Sequence, residues 1–139
     1  MRSKHTMSLT YQPKKEAVFR GECKQTTRLG WKVKANQKIL FHEWEESPYR
    51  SKWGRRLEVV VTVVHRGHLW EDGMEFPTIF PRKLGEIMPW NSHYVDGLAR
   101  KDCIAPEGLS LGLAYKRVLK HLNDILMFDG EEAEVIRWE

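Results

Sequence analysis

The chain has 139 residues, 41% of them hydrophobic and 30% charged, with a formal net charge of +4. Such a chain reads as one soluble globular domain that buries a core without covalent staples, and no apolar run reaches the roughly 18 residues of a membrane span. Two cysteines, Cys23 and Cys103, are too few for a disulfide scaffold, and Met1-Arg2-Ser3-Lys4-His5-Thr6-Met7 lacks the apolar core of a signal peptide, so a reduced, cytoplasmic protein is expected.

The net charge hides an asymmetry. Residues 1–60 carry 14 Lys/Arg against 6 Asp/Glu, and residues 61–139 carry 9 against 13. A positive half beside a mildly acidic one points to an anionic partner met by the first half, nucleic acid being the commonest. The plain alternative is a solvated exterior.

In chain order, residues 1–7 read as a flexible basic tail ahead of a single domain over 8–139. Ser8-Leu9-Thr10-Tyr11 alternates as a short strand would. Gln12 to Arg20 predicts a two-turn helix, because Pro13 suits a first turn that needs no amide donor and Gly21 suits the left-handed position that stops a helix. The next stretch, Gly21-Glu22-Cys23-Lys24-Gln25-Thr26-Thr27-Arg28, gathers a thiol, two cations and two hydroxyls. Lys24 and Arg28 offer donors to anions, Arg28 as a planar fork, and both threonines give and accept hydrogen bonds. This stretch is the first candidate site; an ordinary basic turn is the competing reading.

Trp31 and Val33 alternate with Lys32 and Lys34, and Lys32 joins the candidate cations. Lys38 to Trp44 predicts a strand. In the loop that follows, Arg50, Lys52, Arg55 and Arg56 interleave with Tyr49 and Trp53. Single-stranded nucleic acid uses that pattern, cations for phosphates and flat rings for bases, each stacked base contributing about 1–3 kcal/mol. Alternatively, Trp53 tucks onto the core of a hairpin. Leu57 to Val64 is β-branched nearly throughout and predicts a central strand, ended by His65-Arg66-Gly67-His68 as a turn. Two histidines three apart, with no Cys or carboxylate at structural-zinc spacing, give no reason to expect a metal, and no cofactor is expected.

Leu69 to Trp90 reads as a long irregular loop, functional or inserted, with Lys83 to Met88 as one helical turn or a short strand. Pro106 to Met127 predicts a helix, with Leu109, Leu113, Val118, Leu122, Ile125 and Leu126 near 3.6 spacing and Lys116, Arg117 and Lys120 towards solvent. Asp129-Gly130 closes it, and Ala133 to Trp138 predicts a last strand with one exposed face. The order fits an α+β domain with a small, strongly curved sheet or barrel and two to three flanking helices.

Gly21, Thr26 and Arg28 stand at offsets 0, +5 and +7 behind a short helix, and Ala99 to Leu109 and Ala133 to Trp138 follow in order. On these segments the chain resembles the ASCH domains, a branch of the PUA-like β-barrel superfamily, over about Ser8 to Glu139, with 65–97 the weakest part. The resemblance implies a barrel with a cleft lined by the Gly21–Arg28 signature, and binding of RNA or modified nucleosides. A subgroup of the family are amidohydrolases that remove the acyl group from N4-acetylcytidine with a lysine, a threonine and a glutamate. Position by position, the threonine falls on Thr26, the acid on Asp102 and the lysine on Cys23. Lys24, one residue on, points to the opposite face of an extended segment and replaces that lysine only across a bulge. Otherwise Cys23 enters the pocket near Cys103, as a nucleophilic thiolate, as half of an oxidisable pair, or as a small apolar filler.

The expected function is therefore a nucleotide- or nucleic-acid-binding module. Lys24 and Arg28 meet anionic groups, Thr26 with Asp102 meets a base edge, and Lys32, Tyr49, Arg50, Lys52, Trp53, Arg55 and Arg56 track the backbone. The alternatives are a hydrolase and a domain that meets an acidic protein. The hydrolase is an amidohydrolase on acylated nucleosides, with Asp102 moving protons, Thr26 attacking and Lys24 or Cys23 beside it, or else a ribonuclease.

Overall fold

The computed structural model describes residues 5–9, 12–46, 51–80, 86–103, 111–122 and 126–139. Along them run β1 (His5–Ser8), α1 (Gln12–Phe19), β2 (Gln25–Leu29), β3 (Lys38–Trp44), β4 (Trp53–Trp70), β5 (Gly73–Glu75), β6 (Met88–Pro89), α2 (His93–Lys101), α3 (Leu111–Leu122) and β7 (Asp129–Trp138). The fold is mixed α/β: among the described residues seven strands join one sheet, and the sheet does not close into a barrel.

Strand β4 organises that sheet. Its first half pairs antiparallel with β3 through Trp53–Val60, and its second half with β7 through Val61–Trp70. β1 lies parallel along β3, and β2 antiparallel along β7. The β-branched run of β4 suits this central place, with Val59 and Val61 buried and Val60 and Val63 exposed on the other face. His65 to His68 does not turn; it continues the strand. A Cβ on Gly67 would lie 2.1 Å from the Glu75 carbonyl oxygen, so that glycine marks a close approach of backbones instead of a chain reversal. The expected loop after it holds β5 and β6, which extend the sheet beyond β4.

Strand β7 is buried on both faces, contrary to the expected exposed one. Ala133 and Val135 enter a core with Leu69, Phe76, Leu98 and Tyr115 under α2 and α3. Ile136 and Trp138 enter a second core with Met7, Val18, Ile39 and Phe41, where α1 and β1 pack. A strand covered on both sides loses the polar face of a half-exposed one.

Helix α1 presents Lys14, Ala17 and Val18 inward, and the amides of Gly21, Glu22 and Cys23 close its end on the carbonyls of Val18 and Ala17. Gly21 has φ +77°, as a helix stop requires. Helix α2, absent from the sequence reading, starts at Ser92, whose hydroxyl accepts from the Val95 amide at 3.4 Å, and buries Val95, Leu98 and Ala99. It ends at Asp102 and at Cys103, which takes a left-handed φ of 61°.

Residues 5–7 of the expected tail belong to the sheet, as His5 to Ser8 pairs with Ile39 to His42. The Trp31–Lys34 alternation forms no strand. The Lys32 and Val33 amides donate to buried Glu134 at 2.8 and 2.7 Å, and Arg66 donates to the same carboxylate at 2.8 Å. Expectations at Met1–Lys4, Thr10, Tyr11, Tyr49, Arg50, Lys83–Gly85, Pro106–Leu109 and Ile125 lie outside the described residues. Among the described residues no helix is long and apolar enough to cross a membrane.

Candidate functional site

The two-residue period of β2 splits the signature between opposite faces of the strand. Gln25 and Thr27 face the α2–α3 side. The Gln25 amide nitrogen donates to the Leu98 carbonyl at 3.1 Å and to the Asp102 carboxylate at 2.6 Å, and the Thr27 hydroxyl hydrogen-bonds that of Tyr115. Thr26 and Arg28 face the other way: Arg28 donates to the Ser8 carbonyl at 3.2 Å and to the Thr26 hydroxyl at 3.3 Å. Thr26, fully buried, thus stands across the strand from Asp102, with which it was expected to share a cavity. Arg28 is 7% exposed and helps tie β1 to β2.

Lys14 of α1 also reaches Asp102. Its ammonium donates to the carbonyls of Gln25 at 2.7 Å and Asp102 at 2.8 Å, and lies 3.9 Å from the Asp102 carboxylate and 3.9 Å from the Cys23 sulfur. A charge 1% exposed persists only when paired in this way. The sequence carries a faint signal for it: Lys14 precedes Ala17 and Val18 by three and four residues, on the inward stripe of α1.

The fully buried Cys23 thiol donates weakly to the carbonyls of Gln25 at 3.4 Å and Lys101 at 3.7 Å. Burial, with Cys23 beside it, pushes the Cys103 thiol up to about 12, so Cys103 holds no thiolate near neutrality. Burial, and then the Asp102 charge, also raises the Tyr115 phenol well above its ordinary range and keeps it protonated.

Outside this network opens a cleft of about 390 Å³, walled by Lys24, Gln25, Arg100, Lys101, Cys103 and Arg137, with Glu22 at its side and Thr62 and Val63 of β4 below. Gln25 joins the buried network to the cleft: its nitrogen holds Asp102, and its oxygen accepts from the Arg137 guanidinium at 2.7 Å. Arg100 and Lys101 stand in the last turn of α2, where cations complement the helix dipole. Four cations and one carboxylate thus line the cleft among the described residues. Of the expected site residues, Lys24, Cys23 and Asp102 come to this region, Lys24 in the wall, Cys23 beside Lys14 and Cys103, and Asp102 behind Gln25. Arg100, Lys101, Arg137, Gln25 and Lys14 were missed.

Of the other expected binding residues, Lys52, Trp53, Arg55 and Arg56 stand together around the start of β4, while Lys32 lies by Glu134. Trp53 stacks on His42 at 3.9 Å between ring centres, and the Arg56 guanidinium lies 5.0 Å from the centre of the Trp53 ring. Arg55 is not a free cation: it bonds Glu43 at 2.7 Å and Glu16 at 2.6 Å, which raises its own pKa and draws that of Glu43 down to about 2. Lys52 and Lys32 are exposed, while Tyr49 and Arg50 lie outside the described residues. At about 3.3 Å per residue, Arg56 is roughly 20 Å along β4 from Thr62, so this patch does not line the cleft.

Among the described residues no group of three or more His, Cys, Asp or Glu is placed to hold a metal ion. His65 hydrogen-bonds the Thr78 hydroxyl at 2.9 Å, and His68 lies 3.6 Å from Glu75. The chain matches no protein-family model, no curated protein and no solved structure.

Proposed function

We propose that this chain is a nucleotide- or nucleic-acid-binding domain of the ASCH type, with an open, PUA-like sheet and a cytoplasmic place of action, and that RNA or another single strand occupies the cleft between Lys24 and Arg137. One observation carries the reading. Lys24, Arg100, Lys101 and Arg137, drawn from three separate stretches of chain, line one cavity in which Glu22 is the lone acid among the described lining residues. The guanidinium forks of Arg100 and Arg137 match phosphate oxygens in pairs, and the volume lies within the 300–1,000 Å³ of ordinary ligand pockets. The fold reading is supported by β4, shared between β3 at one end and β7 at the other, and by the cores on both faces of β7.

The test is a titration of a labelled single-stranded oligoribonucleotide by fluorescence anisotropy at several salt concentrations. Four phosphate contacts give a slope of roughly −2 to −3 in log K against log salt, and Lys24→Ala or Arg100→Ala makes it shallower by about one contact. No binding at low salt would sink the reading.

A second reading, a deacylase of N4-acetylcytidine-type nucleosides, is favoured by one observation. Lys14 brings an amine to 3.9 Å from the sulfur of Cys23, the position at which the resemblance places a lysine, and Asp102 and Thr27 belong to the same network. Lys14, Thr27 and Asp102 are at most 2% exposed, with Gln25 between them and the cleft, so binding remains the first reading. Release of acetate from N4-acetylcytidine, lost in Thr27→Val, would reverse that order.

A further inference from the structure

Lys101 and Arg137 belong to two cavities at once. Besides the cationic cleft they line a second pocket of about 260 Å³, whose other walls are Ile79, Phe80, His93, Tyr94, Gly97 and Leu98. The chemistry changes across that pair. On one side are Lys24 and Arg100; on the other are aliphatic and aromatic surfaces, with the Tyr94 ring centre 4.0 Å from His93 and 6.0 Å from Phe80. His65 of β4 stands close enough to Arg137 and Lys101 to feel both charges, and is anchored on Thr78, next to Ile79 of the pocket wall.

Gly97 of α2 stands in the wall of the second pocket. It sits inside α2, where glycine is less favourable than alanine, and its backbone takes no left-handed conformation that demands glycine. A Cβ built there meets nothing within 4 Å among the described residues. Gly97 is exposed, so solvent fills that space, and a larger side chain there would reach over the pocket without a clash.

We infer that the two cavities are subsites of one ligand, a nucleotide unit whose base enters the Phe80–Tyr94–Gly97 pocket while its phosphate lies between Lys101 and Arg137 and the rest of the strand continues into the cationic cleft. The inference rests on the nucleotide reading above and adds a base-accepting pocket to it. A flat ring suits walls of this composition, since every base offers a face to stack, and the shared cations hold the one charged group that all nucleotides carry at a fixed distance from the base. A simple polyanion would occupy the cationic cleft and leave the aromatic pocket unused.

The test compares two ligands on the full chain at low salt, by anisotropy: a short single-stranded oligouridylate, and an abasic ribose-phosphate oligomer of the same length. Wild type is expected to bind the base-bearing strand at least about tenfold more tightly. Gly97→Leu, which fills the pocket with a better helix former, is expected to remove that preference and leave abasic binding unchanged, while Lys101→Ala weakens both. Circular dichroism checks the fold of each variant, and the wild-type comparison stands even if one fails to fold. Equal affinity of wild type for the two strands, or an unchanged preference in a folded Gly97→Leu, overturns the base pocket and leaves the cationic cleft intact. Binding of neither strand overturns the nucleotide reading, and this inference with it.

Discussion

The ammonium of Lys14 and the main-chain oxygen of Asp102, 88 residues apart in the chain, meet at 2.8 Å inside the protein. That contact, with the bond from Lys14 to the Gln25 carbonyl, fastens the first helix to the start of β2 and to the end of α2. The last two bear walls of the cleft, so the buried lysine holds the shape of a surface it does not touch.

Lys14→Met is expected to destabilise the fold by about 3–5 kcal/mol, because it leaves the Asp102 carboxylate buried without its cation. Adding Asp102→Asn removes the orphaned charge, so the double variant should lose clearly less than the two single losses combined. Urea unfolding measures both. A loss under about 1 kcal/mol for Lys14→Met would show that the pair does not hold the elements together.

Tyr115→Phe and Thr26→Val separate the two faces of β2. The first takes the partner from the Thr27 hydroxyl on the α3 side and is expected to cost about 1–3 kcal/mol of stability. The second takes an acceptor from Arg28 on the β1 side. Neither residue lines the cleft, so both variants should bind single-stranded RNA as wild type does when compared well below their melting points. Loss of affinity in a folded Thr26→Val would return Thr26 to the site.

The Glu43–Arg55–Glu16 cluster makes stability depend on acid. The Arg55 hydrogen bond holds the Glu43 carboxyl at about 2, below its ordinary 4.5. A carboxyl lowered on folding contributes stability that is complete above the unfolded value, and that falls away as pH drops from about 4.5 towards 2. Because the Arg55 side chain is half exposed, the effect is screened and should shrink as salt is added. Urea midpoints between pH 6 and 2.5 should fall less steeply in Glu43→Gln than in wild type; parallel curves would remove the cluster from the account.

The two thiols should resist alkylation in the native state. Cys23 is fully buried, and the Cys103 thiol is pushed up to about 12 by burial. Iodoacetamide labelling near pH 8, followed by mass spectrometry, should modify both far more slowly than in unfolded chain. Rapid labelling of Cys103 would place a thiolate in the cleft wall, and rapid labelling of Cys23 would revive the nucleophile expected from the sequence.

Much of the local architecture was legible without coordinates. The α1 helix and its stop at Gly21, the strand from Lys38 to Trp44 and the last strand all follow from contacts between residues a few positions apart, which a sequence displays directly. Two segments were misread. The Gly67 segment looked like a turn because a glycine that admits a neighbouring backbone and one that reverses the chain are the same residue in sequence. Helix α2 was passed over although Ser92, Val95, Leu98 and Ala99 carry its cap and its apolar stripe.

Charge was harder to read. Of the basic first half, Lys14, Lys15, Arg28 and Arg55 are taken up by bonds within the fold, while three of the four cleft cations belong to the acidic second half. By itself the sequence determined the first helix with its stop at Gly21 and the strands over Lys38–Trp44 and Ala133–Trp138, and through the family resemblance it pointed the stretch after Gly21 towards Asp102. The tertiary structure alone decided that Gln25 and Thr27, not Thr26 and Arg28, face Asp102, and that Lys14 comes to meet them. A strand turns successive side chains to opposite sides, and which side meets which helix is set by pairing with β7, more than a hundred residues away, which no local pattern encodes.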